Sequence, residues 1–366
     1  MNIRELMRPH LQKVNPYVPG KPIEELRREK NIEGEIIKLA SNENPYEPMD
    51  EIKRAIIDEI PLLDRYPDSS CHYITNELAE YYGLSREQVF VGNGSNEILE
   101  LLVKAFVNPG EEVIYPFPSF IAYPLICQQS AVTDKKIPLK DFTVDLKAIK
   151  AAVTPATKMI FVCNPNNPTG TYVGGEAVDD FINGLRRDII VVFDEAYFEY
   201  VTAPDFPDTY RLLREYRNVI LLRTFSKVFS LAGVRIGYSL SHAELASCLH
   251  LVRQPFNVNS IAQIAARAAL KHFDKLKKRI EENTRERESI ADELRAMGFT
   301  VPPSQTNFLL VVPRAEGNNL VSRMEDRGVI VRGMAPFGLG GDSFRVSIGT
   351  VAENRRFIQT LREVTA

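Results

Sequence analysis

No apolar run in this chain of 366 residues is long enough to cross a bilayer. The first residues, Met1 to Leu6, carry charges where a secretory leader needs an apolar stretch. The four cysteines, Cys71, Cys127, Cys163 and Cys248, are widely spaced and form no CxxC pair. They read as free thiols in a reducing compartment, which points to the cytoplasm. Cys163 lies in an apolar strand pattern and reads as a small buried hydrophobe rather than a nucleophile. Five histidines give no HxxxH spacing, so a metal site ranks low. A GxSxG elbow and a Gly-Lys-Ser/Thr phosphate loop are both missing. A net charge of −3 makes no electrostatic case for nucleic acid or an anionic membrane.

What is present is an ordinary globular composition, 44% hydrophobic and 25% charged. Its length suits one large and one small domain. Residues 1–45, with Asn15 to Pro22 rich in proline, read as an N-terminal arm and small-domain segment. From Val89 onward, short apolar runs alternate with helical stretches. The runs are Val89–Val91, Glu112–Tyr115, Met159–Val162, Ile189–Phe193 and Val219–Leu222. Runs that are apolar throughout fit strands covered on both faces, so 46–255 is expected to be a large α/β domain with a mainly parallel sheet. After Pro255 the pattern changes. Residues 260–297 read as a long helical region stopped by Gly298. Phe308–Val312 and Phe344–Ile348 read as strands, and Asn354–Val364 as a last helix. Residues 256–366 are therefore expected to form a smaller C-terminal α/β domain, with a mobile loop at 337–343.

Four segments carry chemistry. Gly92-Asn93-Gly94-Ser95-Asn96-Glu97 joins a strand to a helix, where glycines let backbone N–H groups approach a phosphate. A plain helix cap by Ser95 or Asn96 is the favoured account of this segment alone. Asn164 to Gly170, sequence NPNNPTG, is a loop at a strand's C-terminal end, either a structural turn or a ligand loop in which Asn167 donates its amide. Asp194 ends the run Ile189–Phe193; a carboxylate there suits a metal or a protonated ring nitrogen. Lys227 follows the run Val219–Leu222, where a partly dry pocket would let its amine form a Schiff base. Taken alone, each of these residues is as well explained by solvent or by local structure.

Taken in order, GNGSNE, NPNNPTG, DEAY and TFSKVFSLAGVRIGY resemble the fold-type-I aminotransferases that use pyridoxal 5′-phosphate. The resemblance runs from about Asn15 to Thr350. KLASNENPYEP, RYPD at 65–68 and VIVRGMAPFGL with SFRVSIGT narrow it to the branch acting on L-histidinol phosphate. It implies an enzyme of histidine biosynthesis that converts L-histidinol phosphate and 2-oxoglutarate to imidazole-acetol phosphate and glutamate. Lys227 would carry the cofactor and move the substrate proton. Asp194 would pair with the ring nitrogen and keep it protonated. Asn167 and Tyr197 would bind the ring's phenolate oxygen, and Phe120 would stack on the ring. Ser95, Asn96, Thr224, Ser226 and Arg235 would hold the phosphate. Tyr66 would reach the phosphate of a neighbouring subunit in a homodimer. Tyr17, Asn44, Arg332 and Arg345 would contact substrate, the arginines taking carboxylate or phosphate.

The sequence departs from this family at Glu47 and at Ser69-Ser70, where relatives favour glycine. Glu47 either tunes specificity or points to solvent. Aromatic-amino-acid aminotransferases share nearly every one of these cofactor residues, threonine-phosphate decarboxylases share the fold, and some PLP-binding regulators carry an aminotransferase-like domain. The last of these would need a basic helix-turn-helix, which the short arm does not show.

Overall fold

The computed structural model describes residues 2–365. Its strands are β1 (Ile37–Lys38), β2 (Val89–Gly92), β3 (Glu112–Phe117), β4 (Thr133–Pro138), β5 (Thr157–Cys163), β6 (Ile190–Asp194) and β7 (Val219–Thr224). They continue with β8 (Gly237–Ser241), β9 (Phe308–Val311), β10 (Val329–Ile330), β11 (Arg332–Gly333) and β12 (Phe344–Ser347). Seven of them form the main sheet in the order β2-β8-β7-β6-β5-β3-β4. Only β8 runs antiparallel to its neighbours β2 and β7; the other pairings are parallel.

Period-two alternation explains why the central strands are apolar along their whole length. Val191, Phe193 and Leu221 enter one core, with helices Asp50–Glu59, His72–Tyr82 and Ser260–Lys271. Val192, Ile220 and Leu222 enter the other, with helices Ser95–Phe106, Ala122–Gln129 and Ala243–Val252. A third core joins Ile37 and Leu39 to Ile290, Leu294, Leu309, Phe344 and Phe357. It belongs to the three-stranded sheet β11-β12-β9 and the terminal helix Val351–Thr365.

Two expectations are refined. The helical region 260–297 is two helices, Ser260–Lys271 and Lys277–Ala296, joined by a short 3-10 turn. The first buries Ala262, Ala265, Ala266 and Ala269 in the core of the large sheet. Burial in the C-terminal core begins only at Ile290. The change from one core to the other thus falls within the charged helix Lys277–Ala296, and not at residue 255. In the loop at 337–343 one side chain is anchored. Asp342 is 5% exposed, and its carboxylate accepts the backbone N–H groups of Gly317, Asn318 and Leu320.

Sheet topology positions the chemistry. Adjacent parallel strands β5, β6 and β7 end side by side, and their following loops gather outside that edge. β11 and β12 face this edge from the smaller sheet, and residues 17–20 and 40–43 run between them.

Candidate active site

One cleft of about 260 Å³ brings together Tyr17, Ser95, Asn96, Phe120, Asn167, Asp194, Tyr197, Thr224, Ser226, Lys227, Arg235, Arg332 and Arg345. Each side chain is delivered by a local feature. Phe225, Val228 and Phe229 are buried in the large core just past β7, which turns Lys227 between them toward the cleft. Its ammonium lies 5.5 Å from the centre of the Tyr197 ring. Burial holds its pKa down at about 8, with Arg345 adding to the effect. A neutral, nucleophilic amine is therefore accessible near physiological pH.

Asp194 is the last residue of β6 and is 3% exposed. Its carboxylate accepts the hydroxyl of Tyr123 at 2.8 Å and the backbone N–H of Ala196 at 3.3 Å. Burial pushes its pKa up to about 6. In the loop after β5, Asn164 exchanges hydrogen bonds with the backbone of Val173. Asn166 is spent on Ser119, Pro118 and Thr169. Of the three asparagines in that loop, only Asn167 lines the cleft.

The helix Ser95–Phe106 starts after Gly94, which has φ +81° and supplies no capping side chain. Its first amides are thus open to a ligand, and the reading of Ser95 or Asn96 as the cap is set aside. A Cβ on Gly94 would lie 2.5 Å from the Arg235 guanidinium, and one on Gly237 would lie 2.5 Å from the Ser95 amide. Arg235 donates to Ser226 Oγ at 3.4 Å, and Thr224 Oγ1 receives the Ser226 amide. These groups enclose an anion-sized cradle.

On the opposite wall, Arg332 and Arg345 are cross-strand partners in β11 and β12. Arg345 is 7% exposed. It donates to Asn167 Oδ1 at 2.6 Å and to the Ala40 carbonyl at 2.8 Å, while its buried Nε has no partner. Burial lowers its pKa to about 10, still protonated at neutral pH. Arg332 donates to the carbonyl of Val18 at 2.8 Å, which holds the N-terminal arm over the cleft. Among the described residues, neither arginine pairs with a carboxylate.

The alignment of this chain with known proteins gives the same direction. The family "Aminotransferase class I and II" matches residues 34–361. The chain belongs to that family. A histidinol-phosphate aminotransferase of Moorella thermoacetica is 42% identical over 96% of this chain and 91% of the relative. Among solved structures, the histidinol-phosphate aminotransferase of Sinorhizobium meliloti, in complex with pyridoxal 5′-phosphate, superposes with a TM-score of 0.88. It is 28% identical and covers 98% of this chain and 97% of its own. An L-threonine-O-3-phosphate decarboxylase of Porphyromonas gingivalis reaches a TM-score of 0.80 at 22% identity over 90% of this chain and 99% of its own, a likeness of fold alone.

The residues of this aminotransferase fit that cofactor. The cradle at Gly94, Ser95 and Arg235 suits a phosphate, buried Asp194 suits a protonated ring nitrogen, and Lys227 lies on the same cleft. One sequence-derived assignment changes. Asn44 does not line the cleft, because its amide donates to the Val228 carbonyl and its oxygen accepts the Tyr46 amide. Asn42, two residues earlier, does line it, donating to the Tyr197 hydroxyl at 2.8 Å. Tyr66 is 82% exposed, stacks on Phe256 and lies outside this chain's own cleft. Glu47 pairs with Lys53 in solvent. At Ser69-Ser70, Asp68 accepts the amides of Ser70 and His72, a cap on the helix His72–Tyr82 that needs no glycine.

Sequence reasoning missed Asn42 and Tyr123. Asn42 stands in the Ser-Asn-Glu-Asn-Pro run, where one asparagine looks like the other. Tyr123 reads as one more apolar residue of a helix, and only its burial against Asp194 reveals its role.

Proposed function

We propose that this chain is the pyridoxal-phosphate-dependent aminotransferase that converts L-histidinol phosphate and 2-oxoglutarate to imidazole-acetol phosphate and L-glutamate. The carrying observation is the pair of unneutralised guanidiniums, Arg332 and Arg345, directly opposite each other across β11 and β12. Like charges placed so are unfavourable unless an anion completes them. A phosphate ester and a carboxylate both satisfy such a pair, and these are the groups that distinguish the two substrates from a neutral amine. The full-length likeness to histidinol-phosphate aminotransferases supports the same choice.

Bound in the cleft, pyridoxal phosphate supplies the electron sink that stabilises charge on the substrate α-carbon. The protein's own residues do the rest. Arg235, Ser226, Thr224 and the amides at Ser95 and Asn96 hold the phosphate. Asp194, fixed by Tyr123, offers its carboxylate to the ring nitrogen. Because Asn42 donates to Tyr197, the tyrosine keeps its own proton to give to a ring oxygen. Arg345 occupies the carbonyl of Asn167, which leaves that amide's N–H groups free for the same oxygen. Phe120 covers one ring face. Lys227, with a pKa near 8, takes the proton from the substrate α-carbon through its Nζ. Tyr17 and Arg332 close the substrate end.

Tyr66, exposed and stacked on Phe256, suits a homodimer in which it reaches the partner's phosphate cradle. Four free thiols, three of them buried, suit a reducing compartment, and we place the enzyme in the cytoplasm. No helix among the described residues is long and apolar enough to cross a membrane.

Steady-state turnover with 2-oxoglutarate as acceptor tests the assignment. kcat/KM for L-histidinol phosphate is expected to exceed that for phenylalanine by roughly 10²-fold or more, since the latter leaves a guanidinium without its phosphate. A ratio below one would assign the enzyme to aromatic amino acids instead.

A further inference from the structure

The strand ends that carry the active site have a second face. Side chains alternate across a sheet, so the residue after Asp194 and the residue before Thr224 point away from the cleft. These are Glu195 and Arg223. They form an ion pair at 2.7 Å with side chains 0% and 6% exposed. Arg223 also sits over Phe198, its guanidinium carbon 3.3 Å from the ring centre.

Beyond this pair opens a cavity of about 580 Å³ that shares no lining residue with the catalytic cleft. Its volume lies within the range of small-molecule sites. Tyr82, Phe198, Phe206, Tyr210, Phe229 and Phe273 contribute aromatic walls, and Glu199 lines it between them. Charge accounting then singles out one group. Glu195 neutralises Arg223. The rim carboxylate Asp208 is used to cap the helix Thr209–Glu215 through the Arg211 amide. Glu199 remains, and among the described residues no lysine or arginine forms an ion pair with it. Burial pushes its carboxyl up to about 7, with Arg223 acting in the opposite direction.

Aromatic faces carry negative potential and attract cations, most strongly where water is excluded. An unpaired carboxylate among such faces reinforces that preference and repels anions. We propose that this cavity is a binding site for a small planar or aromatic organic cation, a protonated amine or an imidazolium, with Glu199 as its charge partner. Nothing in the transamination chemistry uses it, since none of the groups assigned there lines this cavity.

The test uses the loaded full-length enzyme and benzyltrimethylammonium, a cation with no N–H to react at the cofactor. Phenylacetate serves as its charge-reversed counterpart, and binding is followed by calorimetry. One benzyltrimethylammonium is expected per chain, with the same affinity when 2-oxoglutarate saturates the cleft, and phenylacetate is expected not to bind beside it. Glu199→Gln should weaken the cation about tenfold while leaving turnover of the two substrates unchanged. Phe206→Ala, a cage wall on a different segment, should weaken it independently, so the proposal stays testable if one variant folds poorly. Three results would overturn it: no saturable binding, equal affinity in Glu199→Gln, or displacement of the cation by 2-oxoglutarate.

Discussion

Arg223 and Arg345 are buried to nearly the same extent, 5% and 7% exposed, yet their surroundings are opposite. Around Arg223, burial alone would weaken the proton, but Glu195, joined by Tyr82, Tyr238 and Glu199, outweighs this and the pKa is raised. Around Arg345, burial is unopposed by any carboxylate and the pKa falls to about 10. The difference separates a charge that holds strands together from a charge that waits for a ligand. Desolvating an ion costs several kcal/mol, and a chain keeps an uncompensated one only where binding repays it.

The sharpest way to break this contrast is to replace each arginine by methionine, which keeps the apolar stem and removes the charge. Arg345→Met is expected to lower kcat/KM by about 10³-fold for both L-histidinol phosphate and 2-oxoglutarate, or roughly 4 kcal/mol. Its thermal midpoint should match or exceed that of the parent. A fall in midpoint without loss of turnover would make Arg345 a structural residue and remove the main support for the substrate assignment.

Arg223→Met should behave in the opposite way. It strands Glu195 as a buried unpaired charge, so stability is expected to drop by about 3–5 kcal/mol. Turnover of the folded fraction should stay within about threefold of the parent. Adding Glu195→Leu removes the stranded charge and should restore most of the stability; thermal melts of the single and double variants decide this. If the double variant is no more stable than Arg223→Met, the pair is not the source of the effect.

The same contrast shows what could be read from the sequence. β2, β3, β5, β6 and β7 were all legible because strands covered on both faces are apolar throughout. The strand β4, Thr-Asp-Lys-Lys-Ile-Pro, was not, since an edge strand carries charges that keep it from pairing further. β8, Gly-Tyr-Ser-Leu-Ser, was also missed, because its small residues leave room for Ser95 and break the apolar pattern. In the site, Lys227, Asp194 and Asn167 end or follow recognisable strands and Arg345 lies within one, and the ordered motifs then supplied their roles. The residues that position them could not be named in this way. Tyr123 and Asn42 act through contacts 71 and 155 residues away in sequence, and no local pattern encodes a partner so distant. Glu195 and Arg223 were visible as charges next to the motif residues, but only the pleat shows that they face away from the cleft.

Asp194 and Glu195 give the finest version of the comparison, being neighbours at the end of one strand with opposite surroundings. Glu195 meets a guanidinium, whereas Asp194 has only the Tyr123 hydroxyl and one amide and sits near pKa 6 instead of the ordinary 3.8. A carboxyl raised in the folded state binds its proton more tightly there than in the unfolded chain. Its contribution to stability is therefore full below about pH 4 and is lost as pH rises through 6, a loss of about 3 kcal/mol. Cofactor-free protein should accordingly lose stability relative to Asp194→Asn between pH 4 and 6, as followed by thermal melts of both. Tyr123→Phe removes a donor that favours the ionised form, so Asp194 should titrate higher. The decline should then begin at the same pH, extend further up the scale and deepen by about 1 kcal/mol. Parallel curves for wild type and Asp194→Asn would mean that Asp194 is no more strained than its neighbour, and the front of the strand would then differ from its back only in what binds there.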